Sequence, residues 1–176
     1  SGIKGKLPLL GLCYGAQYLS HAYGGEVLPS KHREYGRAML TINDKNDALF
    51  TEIPDNTQVW MSHGDTITRI PAHYKIIGST DDVKVGAFHI EGEKTYGLQF
   101  HPEVYHTTEG LQVLRNFVVR VCGCKMDWTP DSFVESTVAE LHQLIGPDKV
   151  VLGLSGGVDS SVAAMLLNKA IAQLLT

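Results

Sequence analysis

Residues 7–17, "LPLLGLCYGAQ", form the stretch that most restricts the fold of this 176-residue chain. Its apolar run predicts a short buried strand, and the run after Cys13 predicts a helix closed by Gly24 and Gly25. The pattern between them is G-x-C-x-G, and a sharp strand-to-helix turn needs glycines there because side chains would clash. The stretch therefore predicts an α/β fold with Cys13 in a strained turn.

The position of Cys13 allows two interpretations. The N-terminus of a helix directs free N–H groups at the sulfur and favours the thiolate, and the N–H of Tyr14 would be placed to stabilise an oxyanion. Free cysteines are also common as small buried core residues. The turn alone favours a nucleophile without excluding a structural cysteine.

A thiol nucleophile needs a base, and His101 has the most suitable surroundings of the eight histidines. It follows a predicted strand in "GLQFHPEV", with Glu103 two residues further on. We expect extended chain around Pro102, so that the two side chains point the same way. The carboxylate would then orient the imidazole, and Cys13, His101 and Glu103 would act as nucleophile, base and orienting group.

The remainder of residues 1–121 alternates strand patterns with turns. The predicted strands are "QVWMSHGD", "YKIIGST", "VGAFHI" and "TYGLQF". A helix is predicted from about Glu109 to Val121, where apolar residues recur close to a 3.6-residue period. This mixture favours an α/β sheet that carries an antiparallel meander.

A second domain is predicted after "CGCKMDWTPDS", which divides the chain into residues 1–125 and 126–176. Thr129 is a candidate N-cap, with Pro130 at the first helical position and Gly146 after the helix end. The run 149–154 predicts a buried strand, and "SGGVDSS" leads into a helix predicted over residues 162–175. Consecutive N–H groups at such a turn suit a phosphate, although the loop lacks the lysine of a Walker A motif.

Charge and composition argue against several classes of partner. The formal net charge of −4 gives no attraction to nucleic acid or to an acidic membrane, and no apolar run approaches the roughly 18 residues of a membrane span. Cys13, Cys122 and Cys124 lack disulfide-like spacing, and "SGIKGKLPLL" is too short and polar for a signal peptide. We therefore expect a cytoplasmic protein, and we predict no metal site from Cys-x-Cys alone.

"GLCYGAQ", "SHGD" and "HPE", in this order, resemble the class I triad glutamine amidotransferases over roughly residues 7–121. The resemblance implies that Cys13 attacks the side-chain amide of glutamine, releases ammonia and leaves a γ-glutamyl thioester that water hydrolyses without a cofactor. His101 would transfer the proton and Glu103 would orient the ring. The positions that match glutamine or oxyanion contacts are Tyr14, Gln17, Ser62 and His63.

"LSGGVDSS" resembles the loop with which ATP pyrophosphatases hold the pyrophosphate part of ATP. The matching positions are Ser155, Gly156, Gly157, Val158, Asp159, Ser160 and Ser161. The two resemblances together imply a partial class I amidotransferase fold, a mixed sheet flanked by helices. It would be followed by the first strand-loop-helix of an adenine-nucleotide α-hydrolase-like ATP pyrophosphatase domain.

This domain order is similar to that of the glutamine-hydrolysing GMP synthase family. It implies amination of xanthosine 5'-phosphate (XMP) to GMP, with glutamine, ATP and XMP as substrates, Mg²⁺ alongside ATP, and a homodimer as the complete enzyme. Both ends of the chain favour a fragment that lacks a second oxyanion donor and the XMP pocket. Two alternatives stay open: an amidotransferase for another acceptor, and a truncated, non-catalytic module that binds glutamine or a partner.

Overall fold

The computed structural model describes residues 2–171, apart from the side chains of residues 31–34. The chain divides into two compact units, one ending at Cys124 and the other beginning at Lys125. Within the described range, the first unit carries a six-stranded sheet and the second carries two helices. No helix among residues 2–171 is long and apolar enough to cross a membrane.

The sheet of the first unit has one parallel pair of strands and four antiparallel pairs. Its strands are β1 (Leu9–Leu12), β2 (Glu26–Ile42), β3 (Thr57–Arg69), β4 (Tyr74–Ser79), β5 (Ala87–Ile90) and β6 (Thr95–Leu98). They lie in the order β1-β6-β5-β4-β2-β3. Since β1 and β6 are parallel, with Leu12 opposite Leu98, the residues that follow these two strands begin side by side.

Helices flank this sheet. Helix α1 (Tyr14–His21) starts one residue after β1, and a single 3₁₀ turn covers Ala48–Phe50. Helix α2 (Gly110–Arg115) continues as a π-helical segment, Asn116–Val121, so the predicted helix is present but wider in its second half. The buried amide of Asn116 donates to the carbonyl oxygens of Leu49 and Thr51, and this anchors the segment to the 3₁₀ turn.

Two groups of buried apolar side chains hold the first unit together. The larger group includes Leu40, Phe50, Met61, Ile77, Leu98 and Phe100. The smaller group includes Ala16, Leu19, Ile67, Phe88 and Ile90. Each large side chain buried in this way contributes about 1.5–3 kcal/mol to folding. Because Ala16 and Leu19 belong to α1, their burial fixes the helix whose first turn follows Cys13.

The hairpin of β2 and β3 is longer than the sequence pattern predicted. No strand was predicted over residues 26–42, and only "QVWMSHGD" was predicted within β3. The charged run at residues 31–34 interrupts the alternation of apolar and polar residues that marks a strand. The register between β2 and β3 also shifts between Pro29 and Glu34. The sheet curls enough that β3, at its far edge, bonds with residues that follow β1 and β6.

In the second unit, the predicted helix start is confirmed. Helix α3 (Pro130–Ile145) has Thr129 as its N-cap, and Gly146 follows its end. The Thr129 hydroxyl accepts from Ser132 N at 3.0 Å, while Ser132 Oγ accepts from Thr129 N at 2.8 Å. This reciprocal pair satisfies two backbone donors that a helix start would otherwise leave unpaired.

The predicted strand at 149–154 is wrong. These residues form no regular element, and Val151 is 98% exposed. A strand needs a neighbour for its backbone groups, and no strand between residues 2 and 171 pairs with this run. Helix α4 (Val158–Ile171) follows and begins at Val158 rather than at Val162. The remainder of that predicted helix, residues 172–175, lies outside the described residues.

His89 lies between two acceptors in the first unit. Its Nδ1 is 3.0 Å from Asp47 Oδ2, and its Nε2 is 3.0 Å from the carbonyl oxygen of Glu93. Only the imidazolium can donate at both nitrogens. The hydrogen bond to Asp47 is the main cause that raises the pKa of His89, while burial and the Lys75 charge oppose it.

Replacing His89 with glutamine should therefore reduce the free energy of unfolding most at acidic pH. Because folding raises the pKa of His89, its contribution is complete below the ordinary value of about 6.5 and is lost as pH rises through the raised value. Urea unfolding of both proteins at about pH 5.5 and about pH 9 measures this difference. His142→Gln on α3 is the control, and an equal loss at both pH values would contradict the prediction.

Candidate active site

Cys13 alone makes the turn between β1 and α1. Its φ of 46° and ψ of −104° lie in a region that side chains rarely adopt, which confirms the predicted strain. Its N–H donates to Leu98 O at 2.7 Å and extends the β1–β6 ladder by one residue. A Cβ at Gly11 would lie 2.8 Å from the carbonyl carbon of Gly15, so the turn requires glycine there.

The sulfur of Cys13 has a donor and an acceptor beside it. Its thiol donates to the Ser62 carbonyl oxygen at 3.8 Å, and Gln99 Nε2 donates to the sulfur at 3.8 Å. Burial raises the pKa of the Cys13 thiol, the Tyr14 N–H lowers it and the Glu103 charge raises it further. The N–H of Tyr14 at the start of α1 thus acts in the expected direction and favours the thiolate, but burial outweighs it and the pKa of the thiol is raised overall.

His101 and Glu103 form the predicted pair. Nδ1 of His101 is 2.6 Å from Glu103 Oε1. Since an ionised carboxylate only accepts, Nδ1 carries the proton, and Nε2 is left able to accept one. The sequence predicted that an extended backbone would bring the two side chains together, but the chain instead turns at Pro102 and Glu103.

The segment that carries His101 is held against β3. His101 N donates to the Trp60 carbonyl oxygen at 3.0 Å, and Trp60 N donates to Thr107 Oγ1 at 3.0 Å. The same Thr107 hydroxyl donates to the His101 carbonyl oxygen at 2.5 Å. This buried threonine therefore closes residues 101–107 into a loop, a role that sequence reasoning missed because no motif marks it.

Gln17 lies on the first turn of α1 with its side chain buried. Its Nε2 donates to the Asp65 carbonyl oxygen at 2.8 Å and to Gln99 Oε1 at 3.3 Å. Together with Tyr14, Tyr18 and Asp65, it lines an open cavity of about 240 Å³. Gln99 was missed, although it follows Leu98 just as Cys13 follows the paired residue Leu12.

Strand β3 brings Ser62 and His63 to the same place. The Ser62 carbonyl oxygen contacts the thiol of Cys13. Burial is the main cause that lowers the pKa of His63; the charge of His101 lowers it further, while a backbone hydrogen bond and the charge of Asp65 oppose this. The structure thus gathers all seven predicted residues of the first unit where the ends of β1 and β6 meet β3, with His63 favoured as a neutral imidazole.

The predicted phosphate loop of the second unit lies where α4 begins: Ser155, Gly156 and Gly157 precede the helix, and Val158 to Ser161 form its first turn. Gly156 has a φ of +82°, and Cβ atoms added at Gly153 or Gly156 would meet nothing within 4 Å. Ser155 and Ser160 share a hydrogen bond of 2.9 Å between their hydroxyls. The loop thus offers hydroxyls and a helix N-terminus, donors that suit phosphate oxygens, while Val158 and Asp159 lie in the first turn of the helix.

Possible metal ligands do not cluster in the described structure. Across residues 2–171, no three His, Cys, Asp or Glu side chains lie close enough together to hold a metal ion. Cys122 is half-buried and Cys124 is exposed, and both are free cysteines.

Comparison with protein families matches both units of the chain. Residues 2–121 match the family model described as glutamine amidotransferase class-I. Residues 131–176 match the family model described as NAD synthase.

Curated relatives match along almost all of the chain. The glutamine-hydrolyzing GMP synthase 1 of Bacteroides thetaiotaomicron is 62% identical over 176 residues, which is 100% of this chain and 35% of the relative. The glutamine-hydrolyzing GMP synthase of Cytophaga hutchinsonii is 61% identical over 171 residues, 97% of this chain and 34% of the relative. The chain thus spans about a third of the length of these relatives.

Solved structures share the fold. A putative GMP synthase component from Thermoplasma acidophilum has a TM-score of 0.63 and 33% identity, covering 66% of this chain and 57% of that one. A glutamine amidotransferase from Thermotoga maritima has a TM-score of 0.50 and 24% identity, covering 94% of this chain and 61% of that one. The latter supports the fold alone.

Proposed function

The chain belongs to the class I glutamine amidotransferase family, and from that premise we propose that Cys13, His101 and Glu103 hydrolyse the side-chain amide of glutamine. The observation that carries the proposal is the strained Cys13 turn beside the His101–Glu103 pair. These groups follow two adjacent parallel strands, the edge of a sheet where functional groups commonly gather.

In the first half of the proposed reaction, His101 Nε2 removes the proton of the Cys13 thiol. The sulfur attacks the amide carbon, and the carbonyl electrons move to oxygen, where the Tyr14 N–H would donate to the oxyanion. The carbon–nitrogen bond then breaks, and the proton passes from His101 to the nitrogen, which leaves as ammonia. Glu103 holds Nδ1 protonated and stabilises the imidazolium between these transfers.

In the second half, water hydrolyses the γ-glutamyl thioester. His101 accepts a proton from water while the oxygen attacks the carbonyl carbon, and the carbon–sulfur bond then breaks. The proton returns to sulfur, glutamate leaves and Cys13 is a thiol again. This resting state agrees with the structure, in which burial raises the pKa of Cys13.

Gln17, Ser62 and His63 are proposed to hold the glutamine. Gln17 lines the cavity of about 240 Å³ beside α1, and Ser62 lies next to the sulfur. A neutral His63 can accept or donate a hydrogen bond without adding charge to the site.

The ammonia is proposed to serve the ATP-dependent amination of XMP to GMP. This is supported by the GMP synthases that share 58–62% identity with the chain and by the NAD synthase match at residues 131–176. The donors proposed to hold the phosphates of ATP are Ser155, Gly156, Gly157, Val158, Asp159, Ser160 and Ser161. Bound there with Mg²⁺, ATP would supply adenylation, which activates a carbonyl oxygen for displacement by ammonia.

The same relatives make another acceptor the less favoured alternative, since the relatives reported above carry the name GMP synthase. A cytoplasmic location and a homodimer of the complete enzyme are part of the proposal, through the resemblance to that family. The remaining alternative is a module that binds glutamine or a partner without hydrolysing glutamine. Experiment distinguishes it from a working amidotransferase.

Labelling with a glutamine-like diazoketone tests the proposed site directly. We expect one adduct, mapped to Cys13, whose formation excess glutamine prevents. Cys122 and Cys124 are internal controls in the same sample, and Cys124→Ser is the matched variant that should label normally. An unlabelled Cys13, or labelling that glutamine does not slow, would overturn the proposal.

The amination step needs a separate assay. A protein that spans the full length of the relatives should form GMP from XMP only when ATP and either glutamine or ammonium are present. Cys13→Ala should abolish the glutamine-dependent reaction and leave the ammonium-dependent one. Equal loss of both would contradict the division of roles.

A further inference from the structure

The side chain of Gln99 is 1% exposed, and both ends of its amide meet groups of the candidate site. It is the first residue after β6, and its backbone N–H donates to Gly86 O at 2.8 Å. Its neighbour across the ladder end is Cys13, the first residue after β1. The proposed mechanism assigns no role to this buried amide.

The orientation of the Gln99 amide follows from a backbone group that cannot reverse its polarity. The Asp65 carbonyl oxygen only accepts, so the Gln17 atom 2.8 Å away is its amide nitrogen. That nitrogen also lies 3.3 Å from Gln99, which must therefore present its oxygen. The opposite end of Gln99, 3.8 Å from the sulfur of Cys13, is then the NH₂ group.

We propose that Gln99 is a further catalytic residue, whose amide nitrogen donates a hydrogen bond to Cys13 Sγ and stabilises the thiolate formed on the path to the thioester. The proposal deepens the function proposed above and rests on it. Gln17, itself fixed by the Asp65 carbonyl, keeps the Gln99 donor directed at the sulfur.

The contacts of the sulfur change in opposite ways when the thiol loses its proton. The thiol donates to the Ser62 carbonyl oxygen, and that contact becomes repulsive once the proton has gone. The contact from Gln99 strengthens, because a hydrogen bond to an ionised acceptor is stronger than one to a neutral acceptor. Gln99 therefore favours the charged state selectively, which is the condition for accelerating a reaction.

The other titratable groups around the sulfur do not replace this donor. From the segment after β6, the Glu103 carboxylate raises the pKa of Cys13, and His101 is occupied as the base. From β3, His63 is buried with a lowered pKa, and Asp65 carries a negative charge. The Tyr14 N–H is the other donor that favours the thiolate, and it lies on α1.

The rate of Cys13 alkylation by iodoacetamide, measured against pH and mapped by peptide mass, tests the proposal. In Gln99→Met the midpoint of the pH profile should rise by about one unit, which means an about tenfold lower rate below the midpoint. Gln99→Glu keeps the side-chain length and places a carboxylate at the sulfur, so its midpoint should rise further. Gln112→Met, which alters an amide bonded to Asn116, should leave the profile unchanged.

Circular dichroism and thermal unfolding show which variants remain folded, and Gln99→Leu, which also lacks the amide donor and adds no charge, serves if Gln99→Met does not. A folded Gln99→Met or Gln99→Leu protein with an unshifted midpoint would overturn the proposal. Alkylation requires no glutamine turnover, so the two proposals fail separately. A shifted midpoint in a protein without glutaminase activity would refute the function and retain the hydrogen bond to sulfur.

Discussion

Replacing His101 with alanine should lower kcat for glutamine hydrolysis by about 10²–10⁴-fold, the usual contribution of a general acid–base group. Under the proposed mechanism the effect should be this large because burial raises the pKa of Cys13, which leaves the sulfur dependent on a base. Ammonia release in steady state, with KM determined separately, measures the change. KM should move far less than kcat, since the imidazole acts on protons in the transition state.

Two variants give this result its meaning. His142→Ala removes an exposed imidazole from α3 and should leave kcat unchanged. Glu103→Gln keeps the oxygen that faces Nδ1 but removes the charge, so kcat should fall less than in His101→Ala. If His101→Ala retained a tenth of the activity or more, another base would have to act, and the buried His63 would be the candidate.

The turn at Cys13 could be predicted from sequence because its determinants are adjacent residues. Gly11 and Gly15 lie within two residues of Cys13, but only Gly11 is required sterically: its Cβ would meet the carbonyl of Gly15, whereas a Cβ at Gly15 would meet nothing within 4 Å. The pairing of His101 with Glu103 was predictable for the same reason, since two residues separate them. The two side chains do pair although the backbone is not extended as predicted, because a turn at Pro102 also brings them together.

The partners of these residues could not be predicted, because they depend on strand register and sheet curvature. Gln99 lies beside Cys13 only because Leu98 pairs with Leu12. The Asp65 carbonyl reaches Gln17 only because β3, at the far edge of the sheet, curls back over α1. Neither relation leaves a local pattern in the sequence.

The incorrect strand at 149–154 has the same physical origin. Its apolar residues match the composition of a buried strand, but composition does not supply a neighbour. Val151 and Leu154 are exposed in the structure, and no strand in the described residues accepts their backbone bonds. The four strand patterns predicted between residues 57 and 100 overlap observed strands because neighbouring strands pair with them, whereas the run at 149–154 has no such neighbour in the described residues.

Opposing effects act on the protonation of the buried Cys13 sulfur. Burial, the Ser62 carbonyl and the Glu103 charge all favour the thiol, whereas the Tyr14 N–H and the Gln99 amide favour the thiolate. The balance raises the pKa of Cys13, and in the proposed mechanism His101 removes the proton. Under that proposal the sulfur would stay protonated until the base acts.

Replacing Gly110 with alanine should damage both stability and catalysis. A methyl group there would lie 2.9 Å from the carbonyl carbon of Pro102 and closer still to its oxygen, and neither backbone atom can move without the His101–Glu103 turn. Overpacking of this kind costs about 1–3 kcal/mol, occasionally more. Urea unfolding should show the lower free energy of unfolding, and under the proposed mechanism kcat should fall because the turn that holds His101 against Glu103 is displaced.

Two glycine variants separate the two effects of Gly110→Ala. In Gly2→Ala the added methyl meets no atom within 4 Å, so neither stability nor kcat should change. In Gly78→Ala it would lie 3.1 Å from Leu40 Cδ1 in the core, so stability should fall while kcat of the folded protein is kept. A Gly110→Ala protein that lost stability like Gly78→Ala but retained full kcat would show that the Pro102 turn can move without displacing His101.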